Sequence, residues 1–169
     1  EGEVEAAADN VFGSGVVKLV TGTSLVAGAP TVAFSNDVYI DSSTIDTGAN
    51  ALSLSGAVHD NTGPGVLSKN GSGTLNLLSA SDYTGGTNLN AGTINIDNQA
   101  ALGTGALVMQ DGTSFGGASA STFDIANDIT INGTSTVGAN ATRFQLDGDV
   151  DGTGKLAMGT AMSAKPGNI

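Results

Sequence analysis

Apolar residues recur at every second position in short runs along most of the chain, and this period is the strongest constraint on the fold. Val38 and Ile40 are one such pair, and Leu75 and Leu77 are another. Alternation of this kind gives an extended strand one buried face and one exposed face. Gly, Asn, Asp and Ser fill the intervals, and these residues tolerate tight turns. The pattern predicts an all-β fold of many short strands, with "EVEAAADNVF" near the N-terminus as the only plausible helical turn.

The chain also contains an internal duplication with an offset of 90 residues. The segment "FGSGVVKLVTGTSL" from Phe12 aligns with "LGTGALVMQDGTSF" from Leu102, and "SNDVYI" from Ser35 aligns with "ANDITI" from Ala126. Two tandem β-sandwiches or one solenoid could both produce a duplicated set of short strands. Sandwiches use an aromatic core, whereas aromatic residues make up only 4% of this chain. The solenoid is therefore favoured.

A parallel β-helix is the solenoid that these features predict. Its coils stack about 4.8 Å apart, so that like residues lie above like. With about 20 residues per coil, the chain would make about eight rungs with Thr and Asn on their outer faces. We expect an N-terminal segment or cap over 1–11, a first unit over 12–101, a truncated second unit over 102–160 and a tail over 161–169.

The charge balance excludes several classes of function. The net charge is -11, and the cations are few and scattered: Lys18, Lys69, Arg143, Lys155 and Lys165. Five separated cations cannot form the basic groove that binds nucleic acid or an anionic membrane. The absence of Cys excludes a disulfide framework and a thiolate metal site. No stretch approaches the roughly 20 apolar residues of a membrane helix, so no membrane insertion by this segment is expected.

The middle of the chain, "KNGSGTLNLLSASDYTGGTNLNAGTINIDNQAALGTG" over residues 69–105, resembles the passenger-associated repeat of bacterial autotransporters. The family pattern has a Gly-x-Gly-Thr-Leu strand, an aromatic-Thr-Gly-Gly-Thr turn, an Asn-Ala-Gly-Thr strand and a closing Ala-Leu-Gly-x-Gly. These four elements fall on Gly71 to Leu75, Tyr83 to Thr87, Asn90 to Thr93 and Ala101 to Gly105. The resemblance implies a right-handed parallel β-helix on the surface of a Gram-negative bacterium, and a role of the repeat in secretion. In the family these positions are structural and not catalytic.

The cluster "DGDVDG" is the best candidate for a metal site. Asp147, Asp149 and Asp151 match the first half of an EF-hand calcium loop. The second half departs from that pattern, because Met158 stands where the loop requires a bidentate glutamate. We expect a solvated acidic face here, with weak calcium binding as the alternative, and we predict no metal site and no cofactor.

Catalysis is equally poorly supported by the sequence. Paired acids two residues apart on a strand approach the spacing that inverting glycosidases use, but the chain has two Tyr, no Trp and only five cations to line a sugar cleft. His59 stands beside Asp60, and its counterpart in the second unit is Asp151, so His59 is expected to be an exposed turn residue. Tyr83 is expected to clamp the following "TGG" turn. We therefore predict no enzyme and no catalytic residue.

The function that these features predict is an extracellular stalk or adhesin segment of an autotransporter-like surface protein. The expected partners are host or neighbouring-cell surface molecules, or further copies of the chain that associate through the ends of the β-helix. The alternative from another class is a self-assembling extracellular filament or surface-layer subunit. A polysaccharide-active β-helix enzyme is the third candidate.

Overall fold

The computed structural model describes residues 2–159 and 162–164, and its regular structure is β throughout this part of the chain. It contains 21 short strands, numbered β1 to β21 in chain order, and all their pairings are parallel. The strands stack into three faces, so the predicted all-β parallel β-helix is confirmed.

Face 1 is an eight-stranded sheet, and it runs the length of the coil. Its strands are β1 (Glu3–Ala6), β3 (Ser24–Ala27), β6 (Ser42–Asp46), β9 (Val66–Asn70), β11 (Thr87–Leu89), β13 (Leu107–Met109), β16 (Ile129–Ile131) and β19 (Val150–Asp151). Face 2 is a seven-stranded sheet. Its strands are β4 (Thr31–Phe34), β7 (Ala51–Leu54), β10 (Thr74–Leu77), β12 (Thr93–Ile96), β14 (Ser114–Gly117), β17 (Thr134–Ala139) and β20 (Lys155–Met158).

Face 3 is divided into two three-stranded sheets. The first contains β2 (Val17–Leu19), β5 (Val38–Ile40) and β8 (Val58–Asp60), and the second contains β15 (Thr122–Ile125), β18 (Arg143–Leu146) and β21 (Met162–Ala164). Between them, residues 78–86 and 97–106 cross face 3 without forming a strand. Faces 1 and 2 are therefore continuous over this region, while face 3 is interrupted for two turns.

Seven turns separate the first and last strands of face 1. Following the register of face 1 from Glu3 leads through Ser24 and five further strands to Asp151. The mean turn is therefore about 21 residues long, close to the 20 that we expected, and the described coil has about seven turns where about eight rungs were predicted. At about 4.8 Å per turn the seven turns span roughly 34 Å.

The interior is filled by the inward residues of the three faces. On face 2, Leu52, Leu75, Ile94, Phe115 and Val137 lie above one another in register, and all are fully buried. Side chains stacked in this way remove apolar surface from water in every turn, which stabilises the coil. The interior positions predicted for the middle of the chain are confirmed, since Leu75, Leu77, Leu89, Ile94 and Ile96 are all buried.

The N-terminal segment differs from the expected helical turn. Residues Glu3–Ala6 form the strand β1, which pairs in parallel with β3. Ala6 is fully buried in the common core. Pairing to an existing strand and burial of Ala6 override the local helical preference of "EVEAAADNVF", because tertiary contacts outweigh intrinsic propensity in short segments.

The duplicated segments correspond strand by strand, but they lie on different faces. Nine strands of the first copy, β2 to β10, match β13 to β21 of the second, and every matched strand has moved on by one face. For example, β2 lies on face 3 and β13 on face 1, whereas β3 lies on face 1 and β14 on face 2. An offset of 90 residues with about 21 residues per turn is four turns and one third. The second copy is therefore rotated by one face relative to the first.

Despite this rotation, the contacts at the corners of the coil are reproduced. The Nδ2 atom of Asn36 donates to the carbonyl oxygens of Gly13 and Gly15, and the Nδ2 atom of Asn127 donates to those of Gly103 and Gly105. Both asparagines are almost fully buried. The corner between faces 2 and 3 and the corner between faces 3 and 1 are thus similar enough in geometry to accept the same sequence.

Candidate functional site

The outward residues of face 3 include a column of side chains that interact along the coil axis. Lys18, Tyr39 and His59 are the central residues of β2, β5 and β8, and they are aligned in register. The Lys18 ammonium lies 5.8 Å from the centre of the Tyr39 ring, and the Tyr39 and His59 rings are 5.0 Å apart. His59 Nδ1 lies 2.7 Å from Asp82 Oδ1. We call these four residues the face-3 column.

The contacts within this column limit what it can bind. The Tyr39 ring has the Lys18 ammonium on one side and the His59 ring on the other. A sugar that stacks on an aromatic platform needs an uncovered ring face, and Tyr39 does not offer one. The column therefore stabilises face 3 through a cation–π contact and the His59–Asp82 hydrogen bond, each of modest strength.

His59 is not the exposed turn residue that we expected. It lies within β8, its side chain is 27% exposed, and it contacts Tyr39 and Asp82. Parallel pairing between β5 and β8 sets this position, because it aligns His59 directly with Tyr39. Among the residues that the structure describes, no Ser or Thr side chain is hydrogen bonded to His59, so the geometry does not form a catalytic triad.

Lys69 is a functional group that sequence reasoning missed, since it was counted only among scattered surface cations. It lies inside the coil and is fully buried, in register with Ile45 below and Leu89 above. Its ammonium donates to the carbonyl oxygens of Asn70, Gly71 and Ala91, at 2.8, 2.8 and 3.1 Å. One cation thus satisfies three backbone acceptors at the corner between faces 1 and 2.

Burial determines the acid–base behaviour of Lys69. Loss of water around the ammonium lowers the pKa of Lys69 to about 8, and the nearby carboxylate of Asp46 partly opposes this shift. The sequence signal for this position was the alternation itself, because Leu67 and Lys69 are two residues apart on β9 and both are inward. A lysine at an inward position departs from the usual rule that Lys is exposed.

Tyr83 holds the turn that replaces a strand on face 3. Its side chain is fully buried, and its hydroxyl lies 2.6 Å from Thr87 Oγ1, which is also buried. Burial raises the pKa of the Tyr83 hydroxyl. Gly103 in the next turn lies directly above Tyr83. No larger residue fits there, since a Cβ on Gly103 would clash with the Tyr83 carbonyl oxygen. The predicted clamping role of Tyr83 therefore agrees with its contacts.

The three aspartates of "DGDVDG" are exposed, and they accept or support separate hydrogen bonds. Asp147 Oδ1 accepts from Gln145 Nε2 at 2.7 Å, and Asp151 Oδ1 accepts from the Gly152 N–H at 2.6 Å. The N–H of Asp149 donates to Asp128 Oδ1 at 2.9 Å. No group of three or more His, Cys, Asp or Glu residues in the described chain could hold a metal ion. Calcium binding by these aspartates stays an untested alternative.

Face 2 carries a different kind of surface. From β4 to β17 its outward residues are small and uncharged, and they are Thr31, Ala33, Ala51, Ser53, Thr74, Asn76, Thr93, Asn95, Ser114, Gly116 and Thr136. Some of them form the expected ladder: Asn76 Nδ2 donates to Ser53 Oγ, and Asn95 Nδ2 donates to Asn76 Oδ1. This face is flat and neutral on a chain whose net charge is -11.

No helix in the described part of the chain has the length and apolar character needed to cross a membrane. Three features could interact with other molecules: the face-3 column, the buried Lys69 and the polar ladder of face 2. They lie on different parts of the coil and do not meet in one pocket.

Part of the chain matches a known family model. Residues 67–96 match the model of the passenger-associated transport repeat. This match runs from β9 to β12, and it includes both Lys69 and the Tyr83 turn. It confirms the resemblance to an autotransporter passenger repeat that the motifs of this region indicated.

One curated relative is an autotransporter. A stretch of 68 residues, 40% of this chain, is 35% identical to "Adhesin BmaC autotransporter" of Brucella suis biovar 1 (strain 1330). The chain spans only 2% of the length of that protein. No solved structure matches the chain significantly.

Proposed function

We propose that the chain is a β-helical stalk or adhesin segment displayed on the surface of a Gram-negative bacterium, and the match of residues 67–96 to the passenger-associated transport repeat supports this. Its role in this proposal is mechanical and adhesive: the stacked coils form a rigid spacer, and their outer faces supply many weak polar contacts. We assign it no catalytic activity.

The observation that carries this proposal is the continuity of the coil across the matched repeat. The strand β9, at the start of residues 67–96, pairs with β6 of the preceding turn, and β12, at its end, pairs with β14 of the following turn. The repeat, whose 30 residues make about one and a half turns, is therefore part of a longer rod and not a separate domain. Hydrogen bonding of every turn to the next resists bending and local opening, as a spacer requires.

The proposal also includes a role of the folded coil in secretion. A coil that folds outside the cell cannot readily slide back through a narrow pore, because it would first have to lose its stacked core. The buried positions of the matched repeat, such as Ile94, supply that core. A carboxylate at such a position would be a buried charge without a partner, and it would prevent the turns from stacking.

The test is to attach the chain to a signal peptide and a heterologous outer-membrane translocator in a Gram-negative host. An antibody against the chain, applied to intact cells, measures surface delivery, and external protease measures folding. We expect delivery and protease resistance for the natural sequence and loss of both for Ile94→Asp. Thr93→Asp is the matched control, since Thr93 is the half-buried outward neighbour on the same strand. Equal delivery and equal protease resistance of all three chains would contradict the proposal.

Adhesion is measured separately from delivery. Beads that carry the purified chain are expected to attach to cells more than beads that carry Ile94→Asp. If delivery depends on folding but beads do not attach, the chain is a stalk without adhesive contacts. Fibres formed by the pure chain would instead favour the self-assembling subunit.

A further inference from the structure

A groove opens on face 3 beside β15, where the second sheet of this face begins after two turns without a strand. It is lined by Gln99, Ala100 and Thr104 on the side of the preceding turn, and by Asp124 and Ala126 on the side of β15. Its volume is about 300 Å³, at the lower limit of the range for small-ligand sites. The groove lies outside the face-3 column and outside residues 67–96.

The wall of this groove is the edge of a strand. β15 is the outermost strand of its sheet. The carbonyl oxygens of Ser121 and Ile125 accept hydrogen bonds from the next turn, from the N–H groups of Thr142 and Asp147. Backbone groups of a parallel strand point alternately to its two neighbours. The N–H and C=O of Asp124 therefore point away from β18 and into the groove.

The first copy of the duplication shows what closes such an edge. Ala33 on β4 is the counterpart of Asp124, with an offset of 91 residues. There, the N–H of Ala33 donates to Asp9 Oδ1 at 2.8 Å, and the C=O of Ala33 accepts from the N–H of Asn10 at 2.9 Å. The chain's own Asp9–Asn10 dipeptide thus covers both edge groups of Ala33.

The second copy differs at the three positions that make this closure. Gln99 stands where Asp9 supplies the accepting oxygen, and Ala100 stands where Asn10 has a left-handed backbone (φ 52°), which Asn tolerates better than Ala. Asn98 stands where the first copy has Ala8. The N–H of Ala100 donates to Asn98 Oδ1 at 2.9 Å instead of to the strand. No hydrogen bond joins Gln99 or Ala100 to Asp124 in the described chain, and the groove occupies the space between them.

We propose that this groove is a docking site for an extended peptide from another protein, which presents Asp or Asn followed by a backbone N–H. The side-chain oxygen accepts the Asp124 N–H, and the next N–H of the peptide donates to the Asp124 carbonyl. This is the arrangement that Asp9 and Asn10 make on Ala33 within the same chain. Strand edges commonly bind peptides in this way, through main-chain hydrogen bonds.

The proposal can be tested with the chain's own closing segment. A fluorescent peptide of residues 8–13, ADNVFG, is titrated into the 169-residue chain, and binding is followed by fluorescence anisotropy. Two hydrogen bonds to the backbone of Asp124 and a small contact area predict weak binding, with a Kd of roughly 0.1 to 1 mM. A control peptide with Gln and Ala in place of Asp and Asn is expected to bind at least about tenfold more weakly.

A variant of the chain provides the decisive comparison. The triple substitution Asn98→Ala, Gln99→Asp and Ala100→Asn gives the second copy the three residues that close the first, and it removes the side chain that holds the N–H of residue 100. We expect it to fill the groove, to weaken peptide binding at least about tenfold and to raise Tm. The reciprocal triple, Ala8→Asn, Asp9→Gln and Asn10→Ala, is expected to open a second groove and to leave binding at the first unchanged.

Amide hydrogen exchange locates the site directly. The Asp124 N–H is expected to exchange rapidly in the free chain and more slowly with peptide bound, whereas the Ala33 N–H is protected in both. Protection of Asp124 in the free chain would overturn the proposal. So would equal affinity for the two peptides, or unchanged binding by the closed variant with its fold intact.

Discussion

The first copy of the duplicated segment and the second share their corners and differ in what they present to solvent. At the corners, Asn36 and Asn127 donate to matching pairs of glycine carbonyls, and Thr23 and Thr113 each donate to the carbonyl three residues earlier. On the outer faces, Tyr39 of the first copy is matched by Thr130 of the second. The duplication therefore preserves the corner contacts that turn the chain from one face to the next, which we call the frame. The exposed surface differs between the copies.

This comparison separates structural residues from surface residues without any other sequence. A residue retained in both copies, on two different faces, serves the coil itself, because the two copies have different neighbours in solvent. By the same reasoning, the face-3 column and the open groove beside β15 belong to one copy each. If residues shared by the two copies support the coil and the others form its surface, substitutions at the shared corners should destabilise the chain most and those in the face-3 column least.

The largest effect is expected at a matched pair of glycines. Gly56 and Gly148 each lie against the backbone of the previous turn, and a Cβ at either would clash with the carbonyl of Asn36 or Asn127. Gly56→Ala and Gly148→Ala should each lower the free energy of unfolding by about 3 kcal/mol, the upper end of overpacking costs. Urea denaturation measures both, and costs that differ by more than about twofold would break the equivalence of the copies.

The buried asparagines come next. Asn36→Ala and Asn127→Ala each leave two glycine carbonyls without their side-chain donor. Loss of buried hydrogen bonds of this kind predicts a cost of about 2 kcal/mol for each variant. The matched control is Asn76→Ala on the outer ladder of face 2, which should cost less than about 1 kcal/mol. A cost at Asn76 as large as that at Asn36 would contradict the division.

Lys69 offers a test in which the second copy supplies the substitution, since Met158 is its counterpart. Lys69 has a pKa of about 8 when folded and about 10.4 when unfolded. Between these values the unfolded chain binds more protons, so the free energy of unfolding should rise with pH by about 2 kcal/mol from pH 8 to pH 10. Chemical denaturation across this range measures the slope.

Lys69→Met is expected to remove that rise, because it removes the buried amine whose pKa is lowered by folding. The window must end near pH 10, because the raised pKa of buried Tyr83 acts in the opposite direction once unfolded tyrosine ionises. An identical pH profile in both chains would show that Lys69 is not the titrating group.

The smallest effect is expected in the face-3 column, which only the first copy has. His59→Gln and Asp82→Asn each replace one partner of the His59–Asp82 contact. Because Asp82 is largely exposed, the coupling energy from a double-mutant cycle should be about 0.5 kcal/mol. A coupling energy above about 2 kcal/mol would mean that this column, like the corners, is part of the frame.

The sequence alone was sufficient for the strand period, the inward residues such as Leu75 and Ile94, and the duplication. It could not reveal the rotation of the second copy, because this depends on the number of residues per turn, which differs between turns. Lys69 was missed because its chemistry argued against its period-two position, and three carbonyls that accept from it became visible only in the folded coil. His59 was misplaced because Asp151 at the matching position of the second copy favoured an exposed turn, whereas the pairing of β8 with β5 aligns His59 with Tyr39.

Each copy of the segment is related to the one before it by a screw operation, which moves it along the coil axis and rotates it by one third of a turn. A surface site that is duplicated with the segment is moved in the same way. If the same segment were copied again, a groove like that beside β15 would open on the next side of the rod, and only the fourth copy would return to the side of the first. Tandem duplication of this unit therefore distributes contact sites around the circumference. A rod built in this way could engage a partner from any direction without having to turn about its own axis.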